Sequence, residues 1–420
     1  MQLLWISVPK SGRIRISIPK AEIGRLLAQS ARLAEAAADF AAKSGGKNED
    51  TAVSERMREE IIMDKKQTLQ MIADISNAYG APGFEDLAQA QCRWYSRGLG
   101  AVREDRMRNL YIEREENRGD RPRIQLDAHS DEVAFMVQAI RPNGTLQLAP
   151  LGGWVASNVP AHSVMVRNRD GEYIRGITAS TPPHFMTEEQ RRQPLDLSAV
   201  TVDVGAVSAA EAVKEFGIRI GEPVVPDVTF SYQEKHDLMI GKAFDNRLGC
   251  AAIIRTLTDL QGEPLQADVI GAMAAQEEVG TRGAEITSRT VKPDLAIVFE
   301  GCPADDTCLP DYEIQTGLKR GPMLRHLDKR MITNPRFQRY ALDLAESLGI
   351  PVQAAVRLGG ATNGAPIHLS NEGVPTIVIG IPVRYAHTHY GISAYADFEH
   401  AVQLAKEILM RADETLIMSF

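Results

Sequence analysis

Val269-Ile270-Gly271-Ala272-Met273-Ala274-Ala275-Gln276-Glu277-Glu278-Val279-Gly280 runs from an apolar stretch straight into two adjacent carboxylates. The apolar part reads as a short strand, and Glu277 and Glu278 lie just past its end. Four other segments repeat the arrangement, each placing a metal-ligating side chain beyond an apolar run: Asp127-Ala128-His129-Ser130-Asp131-Glu132, Gly241-Lys242-Ala243-Phe244-Asp245-Asn246-Arg247, Ile297-Val298-Phe299-Glu300-Gly301 and Arg384-Tyr385-Ala386-His387. Two imidazoles and several carboxylates suffice for a pair of divalent cations, with one carboxylate left to act on water.

Working outward, the chain alternates short apolar strands with amphipathic helices, the pattern of an α/β protein. Strands are expected at 124–127, 268–275, 295–299 and 376–381. Helices are expected at 69–79, 247–260, 336–348 and 397–410. The ligand candidates then fall at or beyond the carboxyl ends of strands, where open α/β sheets form their crevices. Between the His129 and Asp245 segments the character changes. Leu146-Gln147-Leu148, Ser163 to Arg167, Tyr173 to Ile177 and Val200 to Val204 are β-like, with turn signals such as Arg169-Asp170-Gly171 between them. If His129 and Asp245 meet one ion, the chain must leave the sheet and return to nearly the same point. The expectation is therefore an α/β catalytic domain, 63–133 plus 237–420, with a small β domain, 134–236, inserted in it. Residues 1–62 form a separate block: Val8 to Ile18 alternates like an exposed strand pair, Ala21 to Lys43 is alanine-rich with helical potential, and Ser44 to Asp50 is polar. This reads as a loosely attached extension, and Met63 stands as a candidate start of the functional part.

Composition narrows the function. A chain of 420 residues exceeds the roughly 250 to 300 that one core usually serves, so two domains are the default. Its 44 % hydrophobic and 24 % charged residues are ordinary for a soluble protein. With 47 Lys and Arg against 55 Asp and Glu, the net charge of -8 does not recommend nucleic acid as a partner. No apolar stretch approaches the ~20 residues that span a bilayer, and no signal-peptide pattern opens the chain. Cys92, Cys250, Cys302 and Cys308 show no zinc-ribbon or redox spacing, and so few in a long chain point to a reducing compartment, the cytoplasm. Buried, inert thiols are expected at these positions, Cys302 and Cys308 flanking the Glu300 segment included.

A hydrolytic metal pair needs a bridging carboxylate between cations ~3.5 to 4 Å apart, plus about two further ligands on each. Asp245 is the candidate bridge. His129 and Glu300 would complete one site, and Glu278 and His387 the other. Glu277 then remains near the metals but unbound, able to move a proton between water and a leaving amine. Asp131 is placed to accept the other ring N–H of His129. Singly, each residue has a plainer explanation: a lone histidine or glutamate is usually structural or solvent-facing, and Asp245 followed by Asn246 suits a helix cap. Their common placement favours a metal site.

At these motifs the sequence resembles the dinuclear metallo-aminopeptidases that assemble into tetrahedral dodecamers, a family of glutamyl and deblocking aminopeptidases with members also labelled cellulase or endoglucanase. The likeness runs from Met63 to the C-terminus. Tyr79-Gly80-Ala81-Pro82-Gly83-Phe84-Glu85, the His129, Asp245 and Glu277 segments, Pro182-Pro183-His184, Gly359-Gly360-Ala361-Thr362-Asn363 and Arg384-Tyr385-Ala386-His387 carry it in order. It implies a mixed-sheet α/β metallo-exopeptidase domain, an inserted β-barrel that builds oligomer contacts, and two zinc or cobalt ions. It implies removal of N-terminal residues from short peptides. Mapped onto matching positions, the ligands would be His129, Asp245, Glu278, Glu300 and His387, with Glu277 as base.

Three positions depart from the family pattern. Glu300 stands where Asp is common, Asn363 where a cleft loop commonly has Asp, and Thr388-His389-Tyr390 where Ser-Pro is common, which makes His389 a competitor of His387 for the second imidazole role. Two other classes stay open. A glycoside hydrolase would need two carboxylates flanking a sugar bond and no metal, but Trp5, Trp94 and Trp154 are few for aromatic platforms and the histidines go unexplained. A non-catalytic assembly protein on a peptidase scaffold is the third reading. Metal content and chelator sensitivity separate all three.

Overall fold

The computed structural model describes residues 2–8, 12–18 and 63–420. The chain divides into Met1–Ile61 and Ile62–Phe420. In the first unit β1 (Gln2–Val8) pairs antiparallel with β2 (Gly12–Ile18), so the strand pair starts earlier than the alternation from Val8 suggests. The alanine-rich 21–43 stretch lies outside the described residues.

The second unit opens with helix α1 (Lys65–Asn77), a few residues earlier than its apolar pattern indicates because Asp64 and Gln67 form a capping box at its start. Helix α2 (Asp86–Tyr95) and strands β3 (Gly100–Glu104), β4 (Leu110–Arg114) and β5 (Arg123–His129) follow. The chain then leaves the sheet. Strands β6 (Ala134–Ile140), β7 (Leu146–Leu151), β8 (Ser163–Arg167), β9 (Tyr173–Ala179), β10 (Thr201–Asp203) and β11 (Pro223–Pro226) close an antiparallel barrel. Strand β8 buries alternate residues, Val164 and Val166, as a strand with one face inward must. These valines pack with Phe135, Val137, Leu146 and Val224 inside the barrel.

The chain returns through β12 (Ser231–Gln233) and β13 (Leu238–Gly241) into helix α3 (Phe244–Asp259), and continues with β14 (Asp268–Ala274), helix α4 (Arg282–Val291), β15 (Leu295–Pro303), β16 (Met323–Leu327), helix α5 (Pro335–Leu348), β17 (Gln353–Val356), the short helix α6 (Gly364–His368), β18 (Thr376–Val383), β19 (Gly391–Ala394) and helix α7 (Tyr395–Arg411). The main sheet has the order β17-β16-β18-β15-β5-β14-β4-β3. Its central four strands, β18, β15, β5 and β14, are parallel, while β4, β3 and the β16 to β18 pairing are antiparallel. Every residue of β14 and β18 is buried, which explains their unbroken apolar runs: helices cover both faces of a parallel sheet. The main core packs Leu248, Ile253, Ile297, Phe299, Ile379 and Phe398 between sheet and helices.

Candidate metal centre and cleft

His129 ends β5, Glu277 and Glu278 follow β14, and His387 follows β18, so three parallel strands deliver these groups to one edge. Glu300 differs from its expected place beyond a strand, since β15 runs on to Pro303 and carries Glu300 within it. Asp245 differs too, arriving from β13, which belongs to a separate three-stranded sheet with β12 and β19. The simpler role of Asp245 as a helix cap is not the one seen. Asn246, non-helical within the first turn of α3, instead caps the regular helix beyond it, accepting from Gly249 N at 3.1 Å and donating to the Phe299 carbonyl at 2.8 Å. Both carboxylate oxygens of Asp245 are therefore left to face the cleft.

There, Asp245 Oδ1 lies 3.1 Å from His129 Nε2, and Oδ2 lies 3.4 Å from His387 Nε2. Glu300 Oε1 is 3.4 Å from His129 Nε2, and Glu278 Oε2 is 3.7 Å from His387 Nε2. Two donor trios result, His129/Asp245/Glu300 and Asp245/Glu278/His387, each with its donor atoms within 4.8 Å of one another and with Asp245 common to both. Glu277 belongs to neither trio, and its Oε2 stands 3.9 Å from His129 Nε2.

The trios fit divalent cations on the chemistry of the metal-free chain. Burial pushes the carboxyls of Glu278 and Glu300 up to about 8 and about 7, and that of Glu277 well above its ordinary range. Burial should lower the two imidazoles, yet the surrounding carboxylates outweigh it, driving His387 to about 10 and His129 well above its usual value. Burial would likewise raise Asp245, but hydrogen bonds from His129 and His387 hold it far below the ordinary range. Raised carboxyls beside raised imidazoles mark a cluster whose negative charge calls for a cationic partner. Glu278 Oε1, buried and without a hydrogen-bond partner among the described residues, is the atom most in need of one.

Asp131 does more than its spacing suggests. Its carbonyl and Oδ1 lie 3.3 and 3.4 Å from His129 Nδ1, and its carboxylate also accepts from the backbone N–H of Glu277 at 2.9 Å and of Glu278 at 3.0 Å. One fully buried carboxylate thus orients a trio histidine and fixes the turn that presents both glutamates. Sequence reasoning missed a second clamp. Lys242 Nζ sits 2.5 and 2.6 Å from the two oxygens of Glu132, both side chains buried, bolting the His129 loop to the Asp245 turn. Its signal was available: a lysine and a glutamate each within three residues of a ligand candidate.

The departures resolve as follows. His389 belongs to neither donor trio: it is 1 % exposed, stacked on His162 with centroids 4.0 Å apart and tilted against Trp154 at 5.1 Å. Burial, then the neighbouring His162, pushes its pKa down to about 3, so its ring is neutral. Asn363 does not face the cleft either. It is fully buried, and its Nδ2 donates to Asp127 Oδ1 at 2.7 Å, so the carboxylate comes from β5 instead. Cys302 is buried, its thiol pushed up to about 11 by burial, whereas Cys308 is exposed, contrary to expectation.

The trios open into a cleft of about 390 Å³, walled opposite by Arg325, Arg330, Arg357 and the Gly359 to Thr362 loop. Residues 109–404 match the model of the M42 glutamyl aminopeptidase family. The chain belongs to that family. It is 32 % identical over 305 residues to the glutamyl aminopeptidase of Lactococcus lactis subsp. cremoris, covering 73 % of this chain and 85 % of that one. It is 30 % identical over 299 residues to the lysyl aminopeptidase of Pyrococcus furiosus, covering 70 % and 82 %. The solved TET aminopeptidase from a marine-sediment archaeon of the Thaumarchaeota superposes with a TM-score of 0.81 at 33 % identity, over 84 % of this chain and 99 % of that one. This M42 member therefore shares its fold with that structure.

Proposed function

We propose that the chain is a metal-dependent aminopeptidase that removes N-terminal residues from short peptides in the cytoplasm, holding two divalent ions, zinc or cobalt. The observation that carries this reading is the pair of donor trios sharing Asp245, with Glu277 beside them and outside both. His129, Asp245 and Glu300 would hold one ion, and Asp245, Glu278 and His387 the other. When bound, the ions supply Lewis acidity toward water and the scissile carbonyl. Glu277 takes the proton of the attacking water and returns it to the leaving amine. The Asp131 carboxylate holds Glu277 to that task by accepting from the Glu277 backbone N–H. A glycosidase is disfavoured because the cleft's other carboxylates are shared out between the trios, leaving Glu277 without a partner across a sugar bond. Removing metal with a chelator should abolish hydrolysis of aminoacyl fluorogenic substrates, and adding Zn²⁺ or Co²⁺ should restore it. Full activity in the metal-free protein would overturn the reading.

The cleft also supports a substrate preference. Arg325 is paired with Asp328 at 3.2 Å and Arg357 with Asp305 at 2.8 Å, whereas among the described residues the Arg330 guanidinium meets only the Thr281 hydroxyl, at 3.2 Å. Two divalent cations would neutralise Asp245, Glu277, Glu278 and Glu300, so Arg330 leaves a surplus of positive charge that suits acidic over basic N-terminal residues. The protein would act as a homo-oligomer, a tetrahedral dodecamer, with the 134–236 domain making contacts. Exposed Val155, Ile177, Phe185, Val207 and Ile220 of that stretch support such contacts.

A further inference from the structure

The second donor trio leans on the barrel. His387 Nδ1 lies 2.9 Å from the Gly153 carbonyl, which can only accept, so the ring carries its proton there and presents Nε2 to Asp245 and Glu278. Gly152, at φ 88°, closes the other side: a Cβ on it would stand 3.0 Å from Glu278 Oε2, and one on Gly153 would stand 3.1 Å from His387 Nδ1. The His387 loop is itself unrelaxed, with Tyr385 at φ 62° and His387 at φ 60°. Such conformations persist only where the surroundings enforce them. Two residues past His387, His389 docks the same loop on the barrel. Its ring packs against His162 and Trp154, and Trp154 in turn stacks on Phe135 of the barrel core with centroids 4.6 Å apart and donates from Nε1 to the Ala134 carbonyl at 3.1 Å. The His389 ring makes its close contacts through its faces, on His162 and Trp154, so it contributes as an aromatic slab.

We propose that the Gly152-Gly153-Trp154 turn of the barrel, with His389 docked on it, is the positioning device of the second metal ion: it fixes the tautomer and reach of His387 and the approach of Glu278. The first trio has no such debt, because Asp131 from the catalytic domain orients His129. The inserted domain thereby completes one metal site within its own chain, beyond any part it plays in assembly. This rests on His387 and Glu278 being ligands, as proposed above.

Titration of the metal-free, full-length protein with Co²⁺ against a chromophoric chelator separates the two equivalents. His389→Ala and Gly153→Ala should each weaken the second equivalent by about 10- to 100-fold, the range for loss of an outer partner of a metal-bound histidine, while the first stays within about threefold. His389→Phe keeps the slab and should retain the second equivalent. His387→Ala is the control for the ligand assignment. If it binds both equivalents like the parent, the ligand reading itself fails. If it loses the second equivalent while His389→Ala and Gly153→Ala bind like the parent, the positioning role alone is overturned. A His389→Phe variant as weak as His389→Ala would also overturn it. Gly153 is exposed, so Gly153→Ala decides the matter should His389→Ala not fold.

Discussion

Glu277 and Glu278 occupy consecutive positions, yet only Glu278 joins a donor trio, and the turn that separates them has Gln276 at φ 56° and two backbone N–H groups tied to Asp131. The candidate ligands were legible as polar residues ending apolar runs, but the Asp131 clamp was not, because it depends on two loops 146 positions apart lying against each other. Glu277→Gln keeps the shape and removes the proton acceptor. It should lower kcat by about 10²- to 10⁴-fold with metal content unchanged, measured by kinetics and metal analysis on one preparation. Near-parental turnover would remove Glu277 from the reaction. Arg330→Ala should cut kcat/KM for a glutamyl substrate about tenfold or more while sparing a leucyl one, since only the former would lose an ion pair; an equal loss on both would count against the acidic preference. Glu85 supplies a pH dependence. Burial, then the nearby Asp131, raises its carboxyl to about 7. Below pH ~4.5 both folded and unfolded chains hold the proton and nothing is lost; from there to pH ~7 the unfolded chain alone gives it up, so stability falls as pH rises, by on the order of 3 kcal/mol in all. Urea midpoints of the metal-free protein at pH 5 and pH 8 should converge in Glu85→Gln relative to the parent. Parallel losses in both proteins would refute the assignment.

Among the elements, the strands that read as continuous apolar runs were the ones buried on both faces, and they were legible for that reason: β14 and β18 match the expected 268–275 and 376–381 within two residues. Barrel strands β6 and β11 escaped notice. β11 is a four-residue stretch bounded by prolines, and β6 has a register shift between Val137 and Ala139 that blurs its alternation. The same limit applies to α6, whose preceding residue Asn363 looked like a cleft residue until β5 was laid beside it. The Asn363–Asp127 contact is an amide paired with a carboxylate in a fully buried place. Asn363→Asp would set two carboxylates face to face and should destabilise by about 2 to 3 kcal/mol. The exchange Asp127→Asn with Asn363→Asp restores one donor and one acceptor and should recover most of that loss. Denaturant midpoints of the two single variants and the double variant measure the coupling directly; additive losses would show that the pair does not act as a unit.

For the whole molecule, sequence patterning gave the order of layers but not what joins them. The proposed ligands come from β5, the β13 to α3 turn, the β14 to α4 turn, β15 and the loop after β18, and the last of these rests on the barrel through Gly153 and His389. Bound ions would therefore tie together the main sheet, the small sheet and the barrel, all within the unit beginning at Ile62. Without ions the same site gathers Asp245, Glu277, Glu278 and Glu300 in a buried space against two imidazoles. Since only the folded chain assembles the trios, free metal at about a thousand times the dissociation constant should stabilise the protein by roughly 4 kcal/mol per site. For a domain of this size that corresponds to several degrees in Tm for each ion, at about 2 °C per kcal/mol. Chelation should lower Tm by that amount, and Zn²⁺ or Co²⁺ should restore it in two steps, with the second step absent in His387→Ala. A Tm indifferent to metal would mean the trios bind ions too weakly to bridge the layers, and the cleft would then have to be held together by its protonated histidines alone.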